Sequence, residues 1–150
     1  MTLPIEAMNT LRDRRAKITD HINPEKLAAL HAKGMLSARE RVDNLFIQGS
    51  FQEMGMHAHH NAVSFGMAGR ELPTDGVITG TGYVGNMQVA AFSQDFQVLA
   101  GTMGKMQARK IVRLMRHALR VGVPMVAFKD SGGARIQEGV DALSGYGDVF

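Results

Sequence analysis

Apolar residues fall at helical spacing in the first third of the chain and again over residues 105–121, and gather into short strand-like runs between and after. Residues 8–21 set Leu11 and Ile18 among Arg12, Arg14, Arg15 and Lys17, which predicts an amphipathic helix with a solvated basic face. Asn23-Pro24-Glu25 is a helix start, with Asn as cap and Pro in the first turn. That helix carries Leu27 and Leu30 and is predicted to stop near Gly34. Ser37 followed three residues on by Glu40 has capping-box spacing; Val42, Leu45 and Phe46 then line one face up to Gly49-Ser50. These helices hold no catalytic constellation and are expected to pack on the remainder.

Downstream the period shortens. Residues 77–84 and 87–93 read as antiparallel strands joined by Gly85-Asn86, a two-residue hairpin turn. Gly80, Gly82 and Gly85 have the spacing of a dinucleotide-binding fingerprint, but that motif must open a helix and here a strand comes next. The glycines therefore belong to strand and turn geometry. Residues 95–99 predict a further short strand, and residues 100–104 a glycine loop. In the helix over 105–121, Ile111, Leu114, Met115, Ala118 and Leu119 form the predicted buried face. Lys105, Arg109, Arg113, Arg116 and Arg120 make one basic stripe opposite. A solvated face is its first reading, attraction of a polyanion its second. Gly122 and Pro124 end the helix, and Met125-Val126-Ala127-Phe128 reads as a fully buried strand.

After that strand come Asp130-Ser131 and then Gly132-Gly133-Ala134. Three small residues bring backbone to the surface, and a loop of this kind before a helix suits negative charge, a phosphate or an oxyanion that develops during reaction. Ser131 lacks a G-x-S-x-G frame and an identifiable His partner, so a turn hydroxyl is the expectation. Asp130 is expected to tether loop amides. Arg135 and Glu138, three apart, pair on a helical turn, with a phosphate contact for Arg135 the lesser reading. Tyr146 is read as packing. His57, His59 and His60 lie in a stretch read as a polar loop or hairpin; no carboxylate sits at ligand spacing, and no metal is expected.

Composition narrows the classes. At 150 residues one domain is expected. The absence of cysteine excludes disulfides, a Cys nucleophile and Cys-ligated zinc. The N-terminal stretch that opens Met1-Thr2-Leu3-Pro4 shows no basic segment with an apolar run, and no apolar stretch is long enough to span a membrane. A soluble, reducing compartment is the expectation. The net charge of +3 favours an anionic partner without naming one, and the few aromatic residues and lack of a nucleic-acid motif argue against nucleic acid.

Residues 130–140, Asp-Ser-Gly-Gly-Ala-Arg-Ile-Gln-Glu-Gly-Val, resemble the signature of the biotin-dependent acyl-CoA carboxyltransferases, the β subunits of the propionyl-CoA and acetyl-CoA carboxylase type. Residues 31–41, 49–51, 75–80, 93–96 and Gly145-Tyr146 fall in the family's order. The resemblance implies an α/β, crotonase-like (ClpP/crotonase) spiral of β-β-α units preceded by helices. It implies an acyl-CoA oxyanion hole at the amides of Gly133 and Ala134, with Gly132 shaping the turn. Gly101 and Thr102 are expected to line the same pocket, and Lys105, Arg109 and Arg135 to be the substrate-binding cations. The implied reaction moves a carboxyl group from carboxybiotin, held on a partner carrier domain, to the α-carbon of a short acyl-CoA. Implied partners are the biotin carboxyl carrier and biotin carboxylase subunits and further copies of the chain; the implied location is the cytoplasm, or the mitochondrial matrix in a eukaryote. Lacking cysteine, the chain differs from the family branch that carries a zinc ribbon. It is also shorter than family subunits and ends at Asp148-Val149-Phe150 without a helix stop, so it is expected to be the N-terminal acyl-CoA-binding half, residues 1–150, inactive alone. A decarboxylase working in reverse and a non-catalytic acyl-CoA-binding or assembly module remain as alternatives.

Overall fold

The computed structural model describes residues 4–150; Met1-Thr2-Leu3, part of the stretch read as lacking a leader, lies outside them. The element order is α1 (Ile5–Thr19), α2 (Pro24–His31), α3 (Ala38–Leu45), β1 (Gln52–Glu53), β2 (Val77–Val84), β3 (Met87–Gln94), α4 (Lys105–Val121), β4 (Met125–Phe128) and α5 (Val140–Val149), with short 3-10 turns at Pro73–Gly76, Leu99–Gly101 and Ile136–Glu138. The caps behave as their residue types require. The Asn23 side chain accepts from the Glu25 N–H, and Ser37 and Glu40 close a reciprocal capping box. Gly122 takes the left-handed conformation that ends α4. None of the residues of α1 is buried, so its basic residues are solvated.

The four strands lie in the order β1-β2-β3-β4, antiparallel except for the parallel β3–β4 pair. Alternation along β2 and β3 sends side chains to two layers. Val77, Ala90 and Phe92 pack with Ala108, Ile111, Leu114 and Ala118 of α4; Ile78, Val89 and Ala91 pack with Ala38, Val42 and Phe46 of the α3 side. Removing each of the large α4 side chains from water contributes about 1.5–3 kcal/mol. Side chains at Gly80 and Gly82 would collide with Phe51 and Phe46, whose rings stack at 5.2 Å. The G-x-G spacing thus serves sheet packing, as the strand context indicated.

Three expectations need correction. Residues 95–99 form turns leading into a 3-10 turn rather than a strand, because the Asp95 side chain accepts from the Gln97 N–H and bends the chain at once. Leu119 is 85% exposed: it sits one helical step beyond Ala118 and has turned away from the sheet. β4 is only half-buried with Ala127 exposed, because β3 is its one neighbouring strand among the described residues. The order is therefore one β-β-α unit, β2-β3-α4, continued by β4 and α5.

Candidate functional site

The two glycine loops meet. The loop after β3, residues 99–104, and the loop after β4, residues 130–134, are joined by backbone bonds. The Gly132 N–H donates to the Ala100 carbonyl (2.8 Å), the Met103 N–H to the Gly133 carbonyl (2.8 Å), and the Arg135 N–H to the Met103 carbonyl (2.9 Å). Approach this close requires glycine at 101, where a Cβ would overlap the Asp130 carbonyl oxygen and stand 3.2 Å from its carbon. Leu99 and Ala100 have positive φ of 46° and 51°, conformations costly for residues with a Cβ and imposed by the packing around them.

On this platform sit the predicted oxyanion donors. Gly133 has φ 109° and open space where a Cβ would be. Its N–H donates to the Ser131 hydroxyl at 3.2 Å, so Ser131 is the turn hydroxyl the sequence indicated. The Gly132 N–H is committed to Ala100. None of the bonds that tie down the loop uses the Ala134 N–H, the one amide of the three left for a ligand among the described residues. The loop does not open a helix directly: the 3-10 turn and Gly139 precede α5. Fixed amides, rather than a helix dipole, are what the geometry offers.

Other predicted residues are placed differently. The Asp130 carboxylate pairs with Arg41 of α3 at 2.5 Å instead of binding loop amides. Arg135 is fully buried; its guanidinium donates to the Asp75 carboxylate (2.7 Å), the Glu138 carboxylate (2.9 Å), the Asp75 carbonyl (3.1 Å) and the Thr102 carbonyl (3.0 Å). Its partners are internal, so the phosphate contact gives way to the pairing with Glu138. Burial raises the Asp75 carboxyl above its ordinary range, against the opposing charge of Arg135. Thr102 holds its own turn through a hydroxyl bond to the Leu99 carbonyl (2.7 Å).

Lys105 and Arg109 line an open cleft of about 320 Å³, whose other walls are residues 60–65 and 137–139 with Asp141. Neither glycine loop lines it, so the cations and the amides do not share one pocket. Glu138 accepts from the Lys105 N–H (2.8 Å) and so caps α4, while Lys105 Nζ pairs with Asp141 (2.5 Å). The positive end of α4 is thereby answered from within the chain. Arg109, Arg113, Arg116 and Arg120 remain exposed. Among the described residues no group of three or more His, Asp or Glu could hold a metal; His60 instead bonds the Arg70 carbonyl. Tyr146 packs on the core and stacks with Phe150.

The sequence reading missed Asp75, Gln107 and Lys110. Gln107 Nε2 donates to the carbonyls of Asp75, Gly76 and Thr102. Lys110 Nζ donates to those of Thr74 and Val77, and burial pushes its pKa down to about 8. For Gln107 and Lys110 the signal available was a polar residue on the apolar face of α4, beside Ile111 and Leu114; Asp75, in the turn before β2, carried none.

Residues 29–150 match the family described as the carboxyl transferase domain. The chain is 45% identical over 150 residues to methylmalonyl-CoA decarboxylase subunit alpha of Propionigenium modestum, covering 100% of this chain and 29% of that protein. It is 46% identical over 138 residues to a propionyl-CoA carboxylase beta chain of Saccharopolyspora erythraea, covering 91% and 25%. Among solved structures it resembles transcarboxylase 12S, described as a hexamer with methylmalonyl-coenzyme A bound, with TM-score 0.91 and 41% identity over 99% of this chain and 29% of that one. The chain thus spans under a third of the length of these proteins.

Proposed function

The chain belongs to the carboxyl transferase family, and from that premise we propose that it supplies the acyl-CoA half-site of a biotin-dependent acyl-CoA carboxyltransferase. Its fold is α/β and crotonase-like. Activation of a thioester at its α-carbon passes through an enolate, and donors fixed at the thioester oxygen stabilise the transition state more than the ground state. The observation that carries the reading is the unengaged Ala134 N–H beside the open face of Gly133, on a loop pinned by its neighbour. In its bound form carboxybiotin would supply CO2 and accept the α-proton. This chain's part is to place the thioester oxygen at the Ala134 amide, with the Gly133 amide joining once it swings from Ser131. Gly101 and Thr102 act from beneath, holding the platform. Lys105 and Arg109 are the cations for the CoA phosphates, reached along the cleft. The biotin carrier, biotin carboxylase and further copies of the subunit, in a cytoplasmic assembly, complete the proposal, with residues 1–150 as its N-terminal acyl-CoA domain.

The second reading, decarboxylation with CO2 passed to biotin, is favoured by the likeness to a decarboxylase subunit along the whole chain. A full-length subunit carrying this chain, incubated with carboxybiotin carrier and labelled propionyl-CoA, is expected to accumulate label in a dicarboxylic acyl-CoA. Turnover only from methylmalonyl-CoA towards biotin selects the second reading. Tight CoA-ester binding without turnover in either direction identifies a binding module.

A further inference from the structure

We propose that Asp75 is a positioning residue for the oxyanion loop, acting through Arg135; this rests on the assignment of that loop under the proposed function. Arg135 comes directly after Ala134, and its own N–H is bonded to Met103 of the opposing loop. Its side chain carries no exposed surface. Asp75 holds it twice, through the carboxylate at 2.7 Å and the carbonyl at 3.1 Å, while Thr102 of the other glycine loop and Glu138 also accept from its two terminal nitrogens. A single guanidinium therefore locks the turn before β2 to both glycine loops and to the 3-10 turn beyond them.

The Asp75 end is itself rigid. Thr74 and Asp75 adopt left-handed φ values of 53° and 52°, and Gln107 from α4 bonds the carbonyls of Asp75 and Gly76. A buried ion pair is weak as a source of stability, since desolvation offsets most of its attraction, but it is strict about geometry. Here the attraction is one-pronged: Oδ2 of Asp75 and Nε of Arg135 are buried without partners. An arrangement that leaves two polar atoms unsatisfied is poor for stability. Its effect is directional, fixing where Arg135, and with it the Ala134 amide, must lie.

The experiment uses the full-length subunit with its biotin carrier and two variants, Asp75→Asn and Asp75→Glu. Asn keeps the shape and loses the charge; Glu keeps the charge and adds a methylene. Each folded variant is expected to lower kcat by about 10- to 100-fold with KM for the CoA ester little changed, because a displaced amide is felt in the transition state. Hydrogen exchange over residues 131–134 is expected to quicken while α4 stays protected. Should one variant not fold, the other decides. A folded variant with unchanged kcat, or one whose loss lies wholly in KM, overturns the proposal. Gly133→Val, measured alongside, separates the two claims: if it spares turnover the oxyanion assignment fails, whereas if it abolishes turnover and the Asp75 variants do not, only the positioning role fails.

Discussion

Substituting Gly101 by alanine should disable the site without touching a reacting group. Gly101 has φ +62°, and a new Cβ would overlap the Asp130 carbonyl oxygen and press on the Ser131 Cα at 3.3 Å. Restoring ordinary carbon contacts requires the loops to part by about 1 Å. The Gly132–Ala100 bond, now 2.8 Å, would then lengthen to about 3.8 Å, beyond hydrogen-bonding range. Its loss costs about 0.5–1.5 kcal/mol. Alanine in a left-handed conformation adds about 1–2 kcal/mol. The stability loss is thus about 1.5–3.5 kcal/mol, within what a domain survives. The catalytic loss is of similar size, since a 1 Å misplacement of a positioned group costs about 100-fold in rate, about 2.7 kcal/mol. The assay is steady-state carboxylation by the full-length subunit, with thermal unfolding as the folding check. Gly147→Ala, at an exposed helical position with nothing within 4 Å, is the control and should leave kcat unchanged while raising stability by about 0.5–1 kcal/mol, as alanine does in a helix. A folded Gly101→Ala enzyme with undiminished kcat would refute the claim that the two loops must touch.

Three other outcomes are expected. Gly133→Val should cut turnover by about 10²–10³ while the protein remains folded, as loss of one oxyanion donor does, and near-normal activity would show the donors lie elsewhere. Reversing charge at Lys105 and Arg109 together should weaken CoA-ester binding and flatten its dependence on salt; an unchanged salt series would leave the α4 stripe as a solvated face. His21 is bonded to Asp95 at 2.8 Å; burial alone would lower its pKa, but the bonds to Asp95 and the Ile18 carbonyl, with the Asp95 charge, raise it above 6.5. The contact therefore contributes fully below pH 6.5 and is lost as pH rises through the raised value. An NMR titration of the His21 ring should show a midpoint above 6.5 that falls in Asp95→Asn, and a midpoint unmoved by that substitution would exclude the pairing.

Local chemistry was readable wherever short-range forces decide. The caps at Asn23 and Ser37, the Gly85-Asn86 turn and the C-terminal end of α4 at Gly122 are each set by residues within a few positions. The two glycine loops were visible for the same reason. What the sequence concealed were contacts between distant residues. Nothing near Arg135 announces that Asp75, 60 positions earlier, will bury it, and a charged pair on a helical turn was the reasonable local reading. Asp130 was likewise claimed by Arg41, 89 positions away, rather than by its own loop. The stripe on α4 was placed correctly as a surface but not in its balance, because Asp141 and Glu138 reach Lys105 from beyond the second loop.

The most direct test of the account is the position of the thioester oxygen in a crystal structure of the full-length subunit with a non-reacting acyl-CoA enolate analogue. That oxygen is expected about 2.7–3.1 Å from the Ala134 amide nitrogen, with the CoA phosphates towards Arg109. A thioester oxygen held by any other donors, with the Ala134 amide turned away from it, would contradict the account.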